Sequence, residues 1–253
     1  MKKQMHVFTS AACNYIPKAS VLAESIRQFY PDWVIHLALA DELPEGADIS
    51  GLNFDEVHPL STLDIPNYQG WAFCHSLVEL ATAIKPVMLN RLLTRSDCAG
   101  VIYLDPDIVL FSPLNEVMQA LEEASIALTP HQVTPESTLG AIMDNEICSL
   151  KHGIYNLGFL AVAPTRIGKA FASWWSERTY HFCRAEIHHG LFTDQRWMDL
   201  VPAFFEDVRI LRTPRLNVAP WNLTTRQVEG RLTQGITVNR EPLGFYHFTG
   251  FDS

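Results

Sequence analysis

Apolar positions change their spacing several times along this chain. "MHVFTS", near the start, is a short apolar run that reads as a buried strand. Next, "YIPKASVLAESIRQFYPDW" carries Ile16, Val21, Leu22, Ile26 and Phe29 at helical spacing and is ended by Pro31. "WVIHLALA" reads as a second strand, and residues 41 to 70 read as acidic, proline-containing loops. "SLVELATAIKPVMLNRLL" predicts the clearest helix, with Leu77, Leu80, Ile84, Val87, Met88 and Leu92 on one side and a kink at Pro86. "VIYL" predicts a third strand, "SIALTP" and "NLGFLAVA" two more, and "IGKAFASWWSERTYHF" another helix. Strands alternating with helices predict an α/β domain with a largely parallel sheet. The second half is less periodic and richer in loops, and no internal repeat is visible.

Length and charge narrow the function classes. The 253 residues contain no linker-like stretch or charge run, so one domain is expected over 1–253. A formal net charge of −9 argues against nucleic acid as the main partner, because backbone binding needs a basic face. There is no apolar span long enough to cross a bilayer, and the N-terminus lacks the apolar region of a signal peptide. The five cysteines are scattered, with no C-x-x-C, which fits reduced thiols and a cytoplasmic location. Cys183 and His188 lie near one another but have no second ligand pair at zinc spacing.

The chemistry concentrates in "VIYLDPDIVLF". Asp105 and Asp107 follow a predicted strand directly, where ligands of open α/β sheets sit. The bare spacing is weak evidence, since a chain with 13 Asp gives about 0.7 such pairs by chance. Residues two apart in extended chain point the same way, and Pro106 restricts the backbone between them. Two adjacent carboxylates repel unless a cation lies between them, and such oxygen ligands suit Mn²⁺ or Mg²⁺. The other reading of the same residues is a solvated turn that ends the strand.

"VIYLDPDIVLF", "YNLGFLAVA", "FTDQRWMDLVP" and "FYHFTGFD", in that order, resemble the glycosyltransferases of GT-A fold, nearest to the glycogenin-like family-8 enzymes and related bacterial glycosyltransferases. The resemblance runs from about residue 5 to the end. It implies a single Rossmann-like GT-A domain with a central, mostly parallel sheet flanked by helices, its nucleotide-binding half over about 1–112 and its sugar and acceptor half over about 113–253. It also implies transfer of a hexosyl group from a nucleotide-diphosphate sugar, a UDP-sugar being favoured, to a saccharide or other hydroxyl acceptor, with retention of configuration. Asp105 and Asp107 match the metal-binding pair, and His247 of "HFTG", followed by Gly250, matches the third metal ligand. Thr9, Ser10 and Tyr15 match positions that hold base and ribose, and Lys85 matches a lysine reaching the donor. Asn156 and Gly158 match a strand beside the donor sugar, while Asp194 and Gln195 match the pair near its anomeric carbon. One position departs from the pattern. Where the family has a lysine for the diphosphate, this chain has Ser253, so either another basic residue serves or the chain stops short of part of the site.

Each of these residues also has a structural reading. His247 lies among aromatics, as a packed core histidine would, and Lys85 fits the solvated face of its helix. Asn156 reads equally as strand-edge punctuation, and Asp194 as a helix start. Trp174, Trp175, Trp197 and Trp221 have the spacing of core aromatics rather than of sugar platforms. Three rival functions compete. Sugar-nucleotide synthesis needs a Gly/Arg-rich phosphate loop, which "VFTSAACNYIPKAS" lacks. An aspartate-nucleophile phosphatase wants Thr where Val109 stands. A non-catalytic nucleotide-sugar-binding or scaffold protein on the same fold is the third.

Overall fold

The computed structural model describes residues 2–49 and 51–251, so Ser253 lies outside the described residues. The chain opens with β1 (Gln4–Ala11), α1 (Ile16–Phe29), β2 (Val34–Leu39) and β3 (Glu56–Pro59), then α2 (Tyr68–Phe73), α3 (Leu77–Ala83) and α4 (Lys85–Leu93). It continues through β4 (Cys98–Leu104), β5 (Ile108–Leu110), α5 (Asn115–Glu123) and β6 (Ile126–Pro130). A short α6 (Leu139–Ala141) runs through a π-turn into α7 (Ile147–His152), followed by β7 (Tyr155–Val162) and the long α8 (Arg166–Phe182). After α9 (Val201–Phe204) come the short strands β8 (Val208–Ile210), β9 (Val228–Arg231), β10 (Gly235–Val238), β11 (Glu241–Pro242) and β12 (Phe245–His247), with one 3-10 turn at Pro220–Asn222.

Seven strands form the central sheet in the order β3-β2-β1-β4-β7-β6-β8. β1 pairs in parallel with both β2 and β4, β2 with β3 and β6 with β8, while β7 runs antiparallel to β4 and β6. The expected α/β class with a mostly parallel sheet is therefore observed. The chain winds outward from β1 on one side and returns with β4 on the other. The order thus switches between these two strands, and a crevice opens beyond their carboxyl ends. Period-two alternation sends β1 side chains to two cores. Phe8 joins Tyr103, Met88 and Trp175 on the face covered by α4 and α8, and Val7 joins Ile102, Ile26 and Val117 on the face covered by α1 and α5.

Three local readings need correction. Residues 41 to 70 are not all loop, because Glu56–Pro59 pairs with β2 as an edge strand too short to show a period. The helix expected to kink at Pro86 is divided at Ile84 into α3 and α4. Pro86 sits in the first turn of α4, where its missing N–H costs little. A capping box between Ser76 and Glu79 starts α3 independently. Leu77, placed on the apolar side by spacing, is exposed, and Val87 is half-buried, while Leu80, Ile84, Met88 and Leu92 are core. Among the tryptophans, Trp175 is fully buried as its spacing predicts.

Phe159 of β7 is fully buried and stacks on Phe245 of β12 with ring centroids 5.7 Å apart. Truncation there opens a cavity beneath the last strand. Phe159→Ala is expected to lower stability by about 3–5 kcal/mol, read as a fall in the urea midpoint with an unchanged slope.

Candidate active site

The turn after β4 projects Asp105 and Asp107 into the crevice. Asp105 N–H donates to Gly158 O at 2.9 Å, and Ile108 N–H donates back to Asp105 O at 3.0 Å, so the turn is pinned on both sides. β5 then pairs with β12 in antiparallel register, with His247 opposite Ile108. His247 N–H donates to Val218 O and Phe248 N–H to Asp107 O, each at 2.8 Å. This ladder brings residue 247 beside residues 105 and 107. His247 Nε2 lies 3.2 Å from Asp107 Oδ1 and 3.6 Å from Asp105 Oδ2. One ligand atom from each of the three falls within 4.8 Å of the others.

The orientation of that ring is set by residues the sequence reading did not single out. His247 Nδ1 faces the acceptor Asn217 Oδ1 at 3.3 Å, which suits a proton on Nδ1 and leaves Nε2 as the nitrogen directed at the aspartates and able to ligate a metal between them. Asn217 is itself held. Its side-chain amide donates to Asn156 Oδ1 and Thr129 Oγ1, and its carbonyl accepts from Asn222. It has φ of 54°, a left-handed conformation that Asn tolerates better than most residues. Nothing in "RLNVAPW" announces this role. Gly158 leaves the space the imidazole occupies: a Cβ there would meet His247 Cε1 at 2.5 Å and Nδ1 at 2.7 Å.

A second cluster adjoins the first. Lys85, the first residue of α4, is buried rather than solvated. Its Nζ lies 3.2 Å from Asp105 Oδ1, 3.2 Å from Asp194 Oδ2, 3.3 Å from Leu157 O and 4.4 Å from the centre of the Tyr103 ring. Burial opposes the charge, but the two carboxylates outweigh it and raise the Lys85 pKa above its ordinary value, so the ammonium persists. Tyr103 donates its hydroxyl to Asp105 Oδ1. Its position two residues before Asp105 on the same face was the sequence signal that could have found it. Burial lifts the Asp194 carboxyl above the usual carboxylate range. At Asp107 burial works the same way, but the His247 ring prevails and lowers the pKa. The three carboxylates outnumber Lys85 and the more distant Lys18, whose charge also acts on Asp107, and this excess of negative charge favours a cation.

Gln195 and Asn156 lie together beside this cluster, with their amides engaged. Gln195 Oε1 accepts from Leu157 N–H at 3.0 Å and from Asn156 Nδ2 at 3.3 Å, while its Nε2 donates to His152 O at 3.0 Å. Asn156 Oδ1 accepts from Gly158 N–H at 3.0 Å. His131 Nε2 lies 3.1 Å from Asn156 Nδ2, and burial pushes the His131 pKa down to about 4.

These residues line a cavity of about 420 Å³ that also includes Trp221, whose ring meets His247 edge-on, and the exposed turn of α7. A smaller cavity of about 240 Å³ adjoins it, lined by Ser10, Tyr15, Leu77 and Ala81. Lys85, Asp105 and Asp107 border both. Ser10 is tied by its hydroxyl to Ala81 O. Thr9 points to the other face of β1, and its buried hydroxyl has no hydrogen-bond partner among the described residues. Gly250 turns the chain after β12 with φ of 72° and lines neither cavity.

Two measurements probe this geometry. Gly158→Ala must displace the His247 ring, so it is expected to weaken Mn²⁺ affinity by about 10–100-fold in calorimetry, with an unchanged circular dichroism spectrum. His131 is neutral when folded but gains a proton near pH 6.5 when unfolded. A depressed folded pKa of this kind removes stability as pH falls from about 6.5 towards 4, on the order of 3 kcal/mol from this residue. His131→Gln should flatten that part of the stability–pH curve relative to the parent.

No protein-family model matches the chain. In sequence it is similar to two uncharacterized proteins of Bacillus subtilis (strain 168), YfnF and YfnD, at 23% identity each. The match covers 96% of this chain and 82% of YfnF, and 97% of this chain and 78% of YfnD. In structure it is similar to the galactosyltransferase LgtC in complex with donor and acceptor sugar analogs, at 18% identity and a TM-score of 0.54, over 98% of this chain and 87% of that one. It is also similar to mouse xyloside xylosyltransferase 1 in its apo form, at 12% identity and a TM-score of 0.54, over 100% of this chain and 99% of that one. With a seven-stranded sheet, a crevice at its switch point and these structural relatives, the chain has the fold of the GT-A glycosyltransferases.

Proposed function

We propose that this protein transfers a hexosyl group from a nucleotide-diphosphate sugar to an acceptor hydroxyl, with a UDP-sugar as the favoured donor. The observation that carries this reading is the Asp105–Asp107–His247 triad at the junction of two cavities. The smaller cavity, with Tyr15 and the apolar Leu77 and Val78, suits a nucleoside. The larger one, with polar groups at Asp194, Asn156 and Thr249, suits a sugar and its acceptor. A diphosphate between them would lie against the triad. LgtC, which shares the fold, was solved with donor and acceptor sugar analogs, and this supports the assignment.

Two carboxylates and an imidazole with its free nitrogen aimed between them fit Mn²⁺ or Mg²⁺. Such a cation, when bound, supplies Lewis-acid stabilisation of negative charge on a departing phosphate. Asn217 keeps His247 in the ligating tautomer, and Lys85 holds the Asp105 side chain in place through their ion pair. The Lys85 ammonium also adds positive charge beside the leaving group. Asp194 faces the sugar cavity and supports positive charge at the anomeric carbon. Gln195, with its carbonyl oxygen already accepting two hydrogen bonds, positions the Asn156–Leu157 strand rather than acting as nucleophile. With no free nucleophile supplied by Gln195, the leaving phosphate takes the acceptor's proton on the same face of the sugar, which retains configuration.

The test combines binding and turnover. UDP with Mn²⁺ at about 100 times its dissociation constant is expected to stabilise the fold by roughly 2.7 kcal/mol, and EDTA to cancel the gain. Asp107→Asn should remove the metal-dependent part of this shift and abolish release of nucleotide from nucleotide-sugars. Gln195→Ala should lower turnover while sparing nucleotide binding. Equal shifts with and without EDTA across UDP and GDP, or full turnover by Asp107→Asn, would overturn the reading.

A further inference from the structure

Away from the crevice, the face of the sheet under α4 carries a row of histidines on three adjacent strands: His6 on β1, His36 on β2 and His58 on β3. His6 Nδ1 lies 2.9 Å from His36 Nε2, and His36 Nδ1 lies 3.2 Å from His58 Nε2. Glu56, also on β3, places Oε2 3.6 Å from His36 Nδ1 and 3.6 Å from His58 Nε2.

We propose that His36, Glu56 and His58 form a second metal site, for a divalent transition metal of the zinc type. Their three ligand atoms make a nearly equilateral triangle with sides of 3.2, 3.6 and 3.6 Å. Two ligands of a tetrahedral zinc at about 2.0–2.1 Å are separated by about 3.3–3.4 Å, so an ion fits without moving the backbone. Two imidazoles and one carboxylate suit zinc or cobalt better than magnesium, which prefers oxygen alone. The fourth position opens to solvent past the Glu56 side chain, which is 36% exposed, whereas His36 is fully buried.

The surroundings orient these ligands. With a metal on its Nδ1, His36 would carry its proton on Nε2 and donate to His6 Nδ1, and His6 Nε2 stands 3.5 Å from Asp97 Oδ1, a histidine-to-carboxylate sequence of the kind that fixes ligand tautomers. Two arginines border the site. Arg95 reaches Glu56 Oε1 at 3.0 Å, with a longer contact of 3.3 Å to the ligand oxygen Oε2, and grips Asp97, aiming both carboxylates. Arg91 comes within 3.4 Å of His58 Nδ1. A metal on Nε2 puts the proton on Nδ1, so Arg91 must turn towards Asp64, which it already holds at 3.0 Å. The ion would join β2 to β3, the last strand on that edge of the central sheet.

The experiment uses the full chain in an Asp107→Asn background, which removes competition from the crevice. Titration with Co²⁺ should give one equivalent and the visible d–d band of tetrahedral cobalt, and Zn²⁺ should displace it and raise the melting temperature. Adding His58→Gln should weaken Co²⁺ binding by about 100-fold or more and abolish the band. Glu56→Gln, at the solvent edge, provides the same check if the histidine variant fails to fold. Absence of the band in Asp107→Asn, or its persistence with unchanged affinity after His58→Gln or Glu56→Gln, would overturn the proposal.

Discussion

A buried ammonium holds the crevice together. Lys85 lies between Asp105 and Asp194 and against Leu157 O, and so ties α4, the turn after β4, β7 and the loop before residue 195 at one point. An ammonium or a carboxylate buried alone costs several kcal/mol, and removing one partner of a buried pair typically costs about 3–5 kcal/mol. The four segments therefore keep this arrangement because each satisfies a charge the others bury. The break between α3 and α4 serves the same end, since it puts Lys85 at the first position of a helix that points into the crevice.

Around that point, side-chain amides set directions. Asn217 connects His247 to Asn156, Asn156 connects to Gln195, and Gln195 reaches the carbonyl of His152. Each carboxamide can donate and accept at once, so a chain of them transmits orientation without adding charge. The residues nearest a sugar would thus be held before any ligand arrives, which is what electrostatic stabilisation of a developing charge requires. Charge is kept for the residues that face the crevice.

Two candidate metal clusters use different parts of one sheet and different chemistry. The crevice triad is oxygen-rich and lies at the carboxyl end of β4, where turns leave side chains free to face a ligand. The histidine row lies within the strands themselves, where parallel register staggers His6, His36 and His58 into contact. Zinc-type and magnesium-type ions sort between such sets by ligand softness and coordination.

The alternation of strands and helices, the placement of Asp105 and Asp107 at a strand end and the α/β class were all legible in one dimension. They depend on local periodicity and on rules for where sheets bind ligands. The edge strand Glu56–Pro59 was not, because four half-buried residues show no clear period. Nor was the burial of Lys85, since a lysine near a proline on an amphipathic helix looks the same on either face. Resemblance to a family pointed to His247, but only the pairing of β5 with β12 brings it within 3.2 Å of Asp107 across 140 residues of chain. Asn217 and the histidine row carried no signal at all. Their roles arise from contacts between residues far apart in sequence, and a linear pattern holds no record of which distant side chains share a hydrogen bond.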